Sequence, residues 1–355
     1  MRDWIEIDGS YGEGGGQVLR TSLTLAVLTG RPLRIEHIRA GRKKPGLRPQ
    51  HLTAVRAAAA ICDAQLEGDV LGSQALSFTP GGPVRAGQYT FDVSAAVQGG
   101  SAGSVGLVLQ TIFLPLALAD GDSYLTLRGG THVPWAPSIS YVEHVFLPQL
   151  ARMGARAQVE SEQWGFYPAG GGQVQVRIAG REGPLRSLQV VERGALQSVW
   201  GIAAGMNLPA HIPQRMADRA HRLLAEAGLA ARVEPRRLRG NGPGAGIFLC
   251  AEYDRAATGF TVYGRQGLPS ERVSEMACDE LLAHHRSTAA LDPHLADQLV
   301  LPAVLAEGET RVSTSRVTRH LLTNVWVVRH FLAREVQIEG AVESPGWLWV
   351  KGEQV

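Results

Sequence analysis

The sequence predicts an α/β (α+β) fold in which three β-α-β-α-β-β repeats form one large domain. Two successive stretches of roughly 85–90 residues each show the same order of strand-like and helix-like hydrophobic patterns. A third stretch begins this order and completes it about 100 residues later, so we interpret the intervening segment as a small α/β domain inserted in the third repeat. The large domain then comprises residues 1–185 and 289–355, and the inserted domain comprises residues 186–288.

Each element of the first two repeats is predicted from its apolar spacing. Alternation with a period of two indicates a strand, and apolar residues at helical spacing, such as Leu52, Val55 and Ala59, indicate a helix. The elements predicted for the first repeat lie at residues 4–8, 17–28, 33–38, 49–62, 64–67 and 75–79. Those predicted for the second repeat lie at residues 89–93, 102–118, 124–127, 139–153, 155–159 and 173–178.

The third repeat opens with a predicted strand and then breaks off. The elements predicted for it lie at residues 188–191, 294–305, 319–332, 336–338 and 347–350. The inserted segment has helical and strand patterns of its own, which is why we interpret it as a domain rather than a loop. Its predicted helices lie at residues 214–227 and 271–285, and its predicted strands at 246–251 and 259–263.

The composition is that of an ordinary globular protein, with 45% hydrophobic and 19% charged residues. A net charge of +2 is too small for a protein that coats long nucleic acids, so any such contact is expected at a strand end. Cys62, Cys250 and Cys278 form no Cys-x-x-Cys pair, which argues against a disulfide framework or a structural zinc site and fits the cytoplasm. The apolar run at residues 105–119 is shorter than the ~20 residues of a membrane helix, so no membrane contact is expected.

A glycine-rich loop joins the first predicted strand to the first predicted helix. Residues 9–16 read Gly-Ser-Tyr-Gly-Glu-Gly-Gly-Gly, and such a loop points backbone N–H groups toward an anion. Glu13 would repel a phosphate unless a divalent metal ion lay between them, because Mg²⁺ takes carboxylate and phosphate oxygens together. A tight turn with an exposed acid explains the pattern equally well. The loop matches neither of the common nucleotide-binding glycine motifs.

A basic loop at residues 39–50 leads into the second predicted helix. Arg39 and Arg42 are candidates for binding a terminal phosphate, because guanidinium groups bind phosphate oxygens in pairs. Gln50 offers a neutral donor at the start of the helix. Taken alone, however, the pattern favours a solvated basic loop over a phosphate site.

Two histidines stand where apolar helices begin. His294 opens the segment His-Leu-Ala-Asp-Gln at residues 294–298, and His320 lies in Thr-Arg-His-Leu-Leu-Thr-Asn at residues 318–324. The positive end of a helix lowers the pKa of an imidazole and keeps it neutral, which is its nucleophilic form. For most of the 11 histidines in the chain, a solvent-exposed or capping role is the simpler explanation.

Together these segments resemble the RNA 3′-terminal phosphate cyclase family over nearly the whole chain. The five motifs that carry the resemblance are Gly-Glu-Gly-Gly-Gly-Gln at 12–17, Leu-Val-Leu-Gln-Thr at 107–111, Gly-Phe-Tyr-Pro-Ala-Gly-Gly-Gly at 165–172, His-Leu-Ala-Asp-Gln at 294–298 and His-Leu-Leu-Thr-Asn at 320–324. Trp164 departs from the Arg or His expected there. The resemblance implies the three-repeat fold and an ATP-dependent ligase that converts an RNA 3′-phosphate into a 2′,3′-cyclic phosphate.

The resemblance also implies roles for individual residues. His320 matches the histidine that attacks the α-phosphorus of ATP and becomes adenylylated, and Glu13 matches the acid near Mg²⁺ or Mn²⁺. The positions that match ATP-binding residues are Gln110, His294, Leu295, Ala296, Asp297 and Gln298. Those that match RNA phosphate-binding residues are Arg20, Arg39, Arg42 and Gln50. His294 is expected to stack on adenine, opposite Pro134 or Pro137.

Other functions are compatible with such a fold. A non-catalytic RNA-processing factor acting in ribosome assembly is expected to lack the nucleophilic histidine, yet His320 and Glu13 are both present. A transferase acting on small phosphorylated metabolites would not take up AMP from ATP. We expect an RNA with a 3′-phosphate end and ATP as partners, and a homodimer is compatible with the sequence. In the inserted domain, residues 236–239 are expected to form a solvated turn, with RNA contact as the alternative.

Overall fold

A computed structural model of the chain describes residues 3–98 and 100–352. Within these ranges the strands form four sheets of four strands each, accompanied by helices. Three of the sheets follow the predicted β-α-β-α-β-β order, and the fourth is formed by the segment that interrupts the third repeat. The predicted α+β fold class is therefore confirmed.

The first repeat sets the topology that the other two follow. Its first two strands are parallel because a helix crosses over between them, and its fourth strand pairs antiparallel with both the second and the third. The resulting strand order is first, second, fourth, third. Its elements are β1 (Ile5–Asp8), α1 (Gly16–Thr29), β2 (Leu33–Glu36), α2 (Pro49–Ala60), β3 (Gln65–Glu67) and β4 (Leu76–Thr79).

The second repeat has the same strand order and the same strand directions. Its first helix begins where the Ser104 hydroxyl accepts a hydrogen bond from the backbone N–H of Leu107. Its second helix contains a turn of wider, π-type spacing at Val142–Phe146. The elements are β5 (Gln88–Asp92), α3 (Val105–Ala117), β6 (Ser123–Gly129), α4 (residues 139–153), β7 (Ala157–Gln163) and β8 (Gly172–Ile178).

The inserted elements follow β9 (Gln189–Val190), the short strand that opens the third repeat. Their sheet has the order β11-β10-β12-β13, which differs from that of the repeats. The elements are β10 (Leu196–Met206), α5 (His211–Glu226), β11 (Ala231–Leu238), β12 (Gly244–Tyr253), β13 (Ala257–Tyr263) and α6 (Ser270–Arg286).

Two of these inserted strands differ from the sequence analysis. Strand β10 is not predicted, because residues 201–206 are buried on both faces and therefore show no alternation of apolar and polar residues. The solvated turn predicted at residues 236–239 is wrong for Arg236, Arg237 and Leu238, which lie in β11. That strand is at the edge of its sheet, where the missing N–H of Pro235 is tolerated.

The third repeat resumes after the insertion and repeats the strand order once more. Strand β9 pairs in parallel with β14, although it lies within the segment 186–288 predicted as the inserted domain. The resumed elements are α7 (Pro293–Leu305), β14 (Thr310–Thr314), α8 (Arg319–Phe331), β15 (Val336–Glu339) and β16 (Gly346–Val350). Strand β14 was not predicted, because it is short and its last three residues are buried without alternation. In the part of the chain described here, no helix has both the length and the apolarity needed to cross a membrane.

The inserted sheet packs on both of its faces. Ile247, Leu249 and Ala251 of β12 join a core that includes residues of helices α5 and α6. The alternate residues Phe248 and Cys250 join the core of the repeats, because successive strand residues point to opposite faces. The insertion is therefore packed against the repeats rather than joined to them only through its two connections.

One buried carboxyl group, that of Asp292, joins the insertion to the repeats. It caps α7, because its Oδ1 accepts hydrogen bonds from the backbone N–H groups of His294 (3.0 Å) and Leu295 (2.9 Å). The Tyr141 hydroxyl of α4 donates to Oδ1 at 2.9 Å, and the Thr258 hydroxyl of β13 donates to Oδ2 at 3.2 Å. One side chain thus holds together a helix of each of two repeats and a strand of the insertion.

We therefore expect Asp292→Ala to lower the free energy of unfolding by about 2–4 kcal/mol, because it removes a helix cap and leaves two buried hydroxyls unsatisfied. Urea denaturation followed by circular dichroism measures this loss. Asp292→Asn keeps one carbonyl oxygen as acceptor and should lose less. An alanine variant as stable as the wild type would contradict the bridging role of Asp292.

Candidate active site

The glycine-rich loop between β1 and α1 lies in close contact with two helices. Gly12 has φ +65°, and a Cβ added there would lie 2.4 Å from the Thr323 hydroxyl of α8. A Cβ added at Gly16 would lie 2.2 Å from the Nε2 atom of His51 in α2. The loop requires glycine at both positions because neighbouring side chains occupy the space that a Cβ would need.

Glu13 extends from this loop toward the predicted nucleophile. Its Oε2 atom lies 3.5 Å from Nε2 of His320 and 3.5 Å from Nη2 of Arg42. His320 is the second residue of α8, whose first turn is capped by the Thr318 hydroxyl accepting from the N–H of Leu321 (2.9 Å). The fold thus brings together three predicted site residues from three separate stretches of the sequence.

Burial of the ring lowers the pKa of His320 below its ordinary value, and the Glu13 carboxylate partly opposes this shift. The arginines Arg20 and Arg42 and the imidazole of His294 lower it further. The direction of the shift is the one expected from the sequence, but burial is the largest cause rather than the end of the helix. At neutral pH the ring is uncharged and keeps a nitrogen lone pair for nucleophilic attack.

A chain of polar contacts holds α8 against α7 and α1. The Thr318 hydroxyl donates to Oδ1 of Asp297, and the Asn324 side-chain amide donates to the backbone carbonyl of Asp297 at 2.7 Å. The Thr21 hydroxyl of α1 in turn donates to Oδ1 of Asn324 at 2.7 Å. These groups are buried or partly buried, so the direction in which α8 presents His320 is set by directional contacts.

The carboxyl group of Asp297 has a pKa well above its ordinary value. Burial raises its pKa to about 8, and the carboxylates of Asp292 and Glu13 raise it too, against the lowering effect of the Thr318 hydrogen bond. A divalent cation between Glu13 and Asp297 would remove this repulsion, and carboxylate oxygens are the ligands that Mg²⁺ and Mn²⁺ prefer. These two carboxyl groups are thus of the type that such an ion binds, although the described residues contain no cluster of three or more potential metal ligands.

The residues predicted to bind ATP lie next to one another. The Gln110 side chain of α3 donates to Oε1 of Gln298 at 2.6 Å, and Gln298 donates to the carbonyl of His294 at 2.8 Å. Leu295 and Ala296 are fully buried, so their side chains belong to the core and support the helix. Through Gln110, the second repeat thus contacts the predicted ATP-binding residues of the third repeat.

The loop that precedes α4 approaches the same region. A Cβ added at Gly106 would lie 3.0 Å from the carbonyl oxygen of Pro137. Gly106 lies one helical turn before Gln110 on α3, so both face the same side of that helix. The structure therefore places Pro137, one of the two prolines predicted to face adenine, on the side of α3 that carries Gln110.

Positive charge gathers around the first turn of α2. His51 is buried there, and its Nδ1 accepts a hydrogen bond from the backbone N–H of Arg48, so the neutral ring carries its hydrogen on Nε2. Burial lowers the pKa of His51 well below its ordinary value, and Arg20, Arg39 and Arg48 lower it further. Converging cations repel one another, so this arrangement favours an anion such as a phosphate.

The predicted phosphate-binding residues differ in their surroundings. Arg39 has φ +55° and donates to the carbonyls of Lys44 and Gly46 at 2.8 Å, which braces the basic loop. Burial lowers the pKa of Arg20 to about 10. Gln50 accepts a hydrogen bond from the backbone N–H of Ser104 at 2.9 Å, which ties the site to the start of α3.

Sequence reasoning missed three residues of this site. His51, Thr318 and Asn324 were not predicted as site residues, although His51 adjoins Gln50 and Thr318 is a typical helix-capping residue. Several of their contacts join distant parts of the chain, as the 303-residue separation of Thr21 and Asn324 shows. The capping threonine could have been found from its type and position, but the other contacts are visible only in the folded chain.

Comparison with known proteins fits this geometry. A sequence model for the family described as RNA 3′-terminal phosphate cyclase matches residues 11–338 of the chain. The chain belongs to the RNA 3′-terminal phosphate cyclase family. The match includes the glycine-rich loop, the basic loop and the starts of α7 and α8, so every group of predicted site residues lies within the cyclase region.

Curated relatives agree with this assignment. The chain is 58% identical to an RNA 3′-terminal phosphate cyclase of Nostoc punctiforme over 95% of this chain and 97% of the relative. It is 56% identical to one of Methylococcus capsulatus (98% and 96%) and 44% identical to one of Pyrobaculum neutrophilum (95% and 95%). A solved enolpyruvyl transferase, NikO from Streptomyces tendae, aligns with 99% of this chain and 49% of its own, with 11% identity and a TM-score of 0.39.

The contact between Glu13 and His320 leads to a prediction about titration. Since the Glu13 carboxylate raises the pKa of His320, replacing it with a neutral amide in Glu13→Gln should lower that pKa further. NMR titration of the His320 ring protons, without ATP or metal ions, measures the change. Glu6→Gln on β1 is the matched control and should leave the titration unchanged. An unchanged or higher pKa in Glu13→Gln would show that the carboxylate does not act on His320.

Proposed function

We propose that this member of the cyclase family uses ATP to convert the 3′-phosphate of an RNA end into a 2′,3′-cyclic phosphate. The observation that carries the proposal is the uncharged, half-buried imidazole of His320 held 3.5 Å from Glu13. Beside it, the arginines around His51 form a basic region suited to a phosphate. The proposed reaction needs a nucleophile for the α-phosphate of ATP and an anion site for the RNA 3′-phosphate, and this region offers both.

In the first step His320 attacks the α-phosphorus of ATP. A new N–P bond forms, the bond between the α-phosphorus and the bridging oxygen breaks, and pyrophosphate leaves. The neutral ring is the reactive form, which burial secures at neutral pH. The product is an AMP group on His320. Gln110, His294, Asp297 and Gln298 hold the nucleotide, and Leu295 and Ala296 support the helix beneath it.

In the second step an oxygen of the RNA 3′-phosphate attacks the phosphorus of the histidine-bound AMP. The N–P bond breaks, His320 is regenerated, and the RNA ends in a phosphoanhydride with AMP. Arg20, Arg39, Arg42 and Gln50 hold the RNA phosphate for this attack, and His51 offers an Nε2–H donor beside them. The ring is a good leaving group once it takes up a proton.

In the third step the neighbouring 2′-hydroxyl attacks the activated 3′-phosphorus. The cyclic ester forms, AMP leaves, and the hydroxyl proton passes to solvent or to a nearby base. A free phosphate monoester resists this attack because its charge repels nucleophiles and oxide is a poor leaving group. Intramolecular positioning of the 2′-hydroxyl supplies up to about 7–11 kcal/mol of the barrier reduction.

A divalent cation fits beside these groups. Glu13 and Asp297 would hold Mg²⁺ or Mn²⁺, because both are carboxyl groups and Glu13 acts electrostatically on Asp297. The ion would offset the charge of the triphosphate. The protein itself supplies the nucleophile, the phosphate site and the helices that orient them.

In the described residues no feature favours the non-catalytic alternative, since His320, Glu13 and Asp297 lie together. The homodimer and the cytoplasmic location stay predictions.

His320→Ala should abolish transfer of labelled AMP from α-labelled ATP to the protein, because it removes the attacking nitrogen. Gel electrophoresis after acid-free denaturation detects the label. His330→Ala is the matched control, since His330 is exposed in the last turn of the same helix. Its labelling should equal that of the wild type. A labelled His320→Ala protein would refute the assignment.

An RNA with a 2′-deoxy terminal nucleotide and a 3′-phosphate should stop after the second step, because it lacks the attacking hydroxyl. We expect the adenylylated strand to accumulate, which mass spectrometry detects as an added AMP. The matching all-ribose RNA should instead lose water and form the cyclic phosphate. If the 2′-deoxy strand stayed unmodified and no adenylylated strand were detected, the proposed order of steps would be contradicted.

A further inference from the structure

A cavity of about 630 Å³ lies between the second repeat and the inserted sheet, apart from the candidate active site. Helix α4 and strand β7 form one wall, and strands β10 and β11 of the insertion form the other. Its volume is in the range of cavities that bind small ligands. Its described lining includes none of the residues assigned above to the ATP or phosphate sites.

Two tryptophans line this cavity from opposite walls, Trp164 from the second repeat and Trp200 from the insertion. The Trp164 ring stacks on His132, with centroids 3.6 Å apart and an angle of 14° between the planes. His132 is itself buried and hydrogen-bonded through both ring nitrogens, to Thr131 at 2.8 Å and Ser140 at 3.1 Å. Trp164 is therefore held rigidly on one face, and only its other face and its edges remain to meet a ligand.

Trp200 is held in the same manner. Its indole N–H donates to Oε1 of Glu252 at 3.0 Å, and the His144 ring packs edge-on against it at 4.7 Å. Aromatic rings that are held in place on both walls of one cavity suit a flat ligand. Because these side chains are already ordered, they lose little conformational freedom when the ligand stacks on them. Nucleobases are such ligands, and they stack on aromatic side chains irrespective of sequence.

The charged groups of the cavity are also suited to a nucleotide in a strand. The Glu160 carboxylate makes no ion pair or hydrogen bond with the residues that the structure describes, and the Glu143 carboxylate has only the His144 ring at 3.7 Å. Carboxylates repel phosphate but accept hydrogen bonds from the amino groups of bases. The Arg232 side chain is exposed on β11 and, among the described residues, forms no ion pair or side-chain hydrogen bond, so its guanidinium is available for a backbone phosphate.

The cavity is structurally connected to the active site. Ser140 of α4 lines the cavity, and the next residue, Tyr141, donates to Asp292, which caps α7, the helix that contains His294. The wall of the cavity and the start of α7, which carries predicted ATP-binding residues, are thus joined through α4. The RNA substrate itself is the occupant that these features favour.

Resting on the proposed function, we propose that this cavity binds an unpaired base of the RNA strand upstream of its 3′-phosphate. The base stacks on Trp164 and Trp200, its amino group faces Glu143 or Glu160, and Arg232 binds the adjoining phosphate. Trp164, the position where the chain departs from the Arg or His expected of its family, thereby becomes part of the RNA-binding surface.

Fluorescence anisotropy with labelled 3′-phosphorylated RNAs, a dinucleotide and a decanucleotide, tests this proposal without ATP. The decanucleotide should bind the wild type more tightly, because it reaches the cavity. In Trp164→Leu and in Arg232→Ala its affinity should fall roughly five- to tenfold, toward that of the dinucleotide, whose affinity should not change. Arg232→Ala should also lower the slope of log affinity against log salt by about 0.7, as expected for one lost phosphate contact on a single strand.

Two variants serve as controls. Trp164→Phe keeps an aromatic face and should restore most of the affinity that Trp164→Leu loses. Arg237→Ala removes an exposed arginine from the same strand as Arg232 but outside the cavity lining, and it should bind both RNAs as the wild type does. Thermal unfolding of each variant checks that it folds.

Two outcomes would overturn the proposal. One is a wild type that binds both RNAs equally, and the other is a variant that weakens both to the same extent, which would indicate a structural effect. Because the readout is binding, it stays interpretable whatever the outcome of the cyclisation assay. A wild type that binds RNA in this length-dependent manner but forms no cyclic phosphate would refute the proposed function alone.

Discussion

The position of His320 depends on one chain of buried hydrogen bonds. Thr21, Asn324, Asp297 and Thr318 join helices from the first and third repeats, and each contact is short and directional. Helix packing alone leaves some freedom of rotation about each axis, whereas a bonded chain fixes the rotation of α8 relative to α1 and α7. The imidazole is therefore presented to the glycine-rich loop in one orientation, with its pKa lowered by the burial that this packing creates.

The three repeats contribute to the site in different ways although their sheets share one strand order. The first repeat supplies the glycine-rich loop and the cations, the third supplies the predicted nucleophile and Asp297, and the second supplies Gln110 and the loop over Gly106. The groups converge where helices of the three repeats meet. The three repeats share one topology, but each contributes different residues to the candidate site.

The insertion is packed into the core of the repeats. Its sheet buries one face under its own helices and the other against the repeats, so its position relative to α4 is fixed by packing. Asp292 reinforces this by bonding to Tyr141 and Thr258 at once. The cavity between the insertion and the second repeat is therefore a lasting feature of the fold, with an aromatic group on each wall.

The α+β class, the repeated order of elements and the local motifs could be predicted without the structure, because they depend on the spacing of apolar residues and on residues close in the chain. Through the family resemblance the sequence also predicted His320, Glu13 and the arginines as site residues, and these stay predictions. It did not reveal β10 or β14, since strands that are wholly buried or very short lack the alternation by which strands are recognised. Nor did it reveal His51 against Gly16, or Asn324 bonded to Thr21, because such contacts join residues that are distant in sequence. Which groups meet becomes visible only in the folded chain, because burial, and with it the pKa of His320 and Asp297, is a property of the packed molecule.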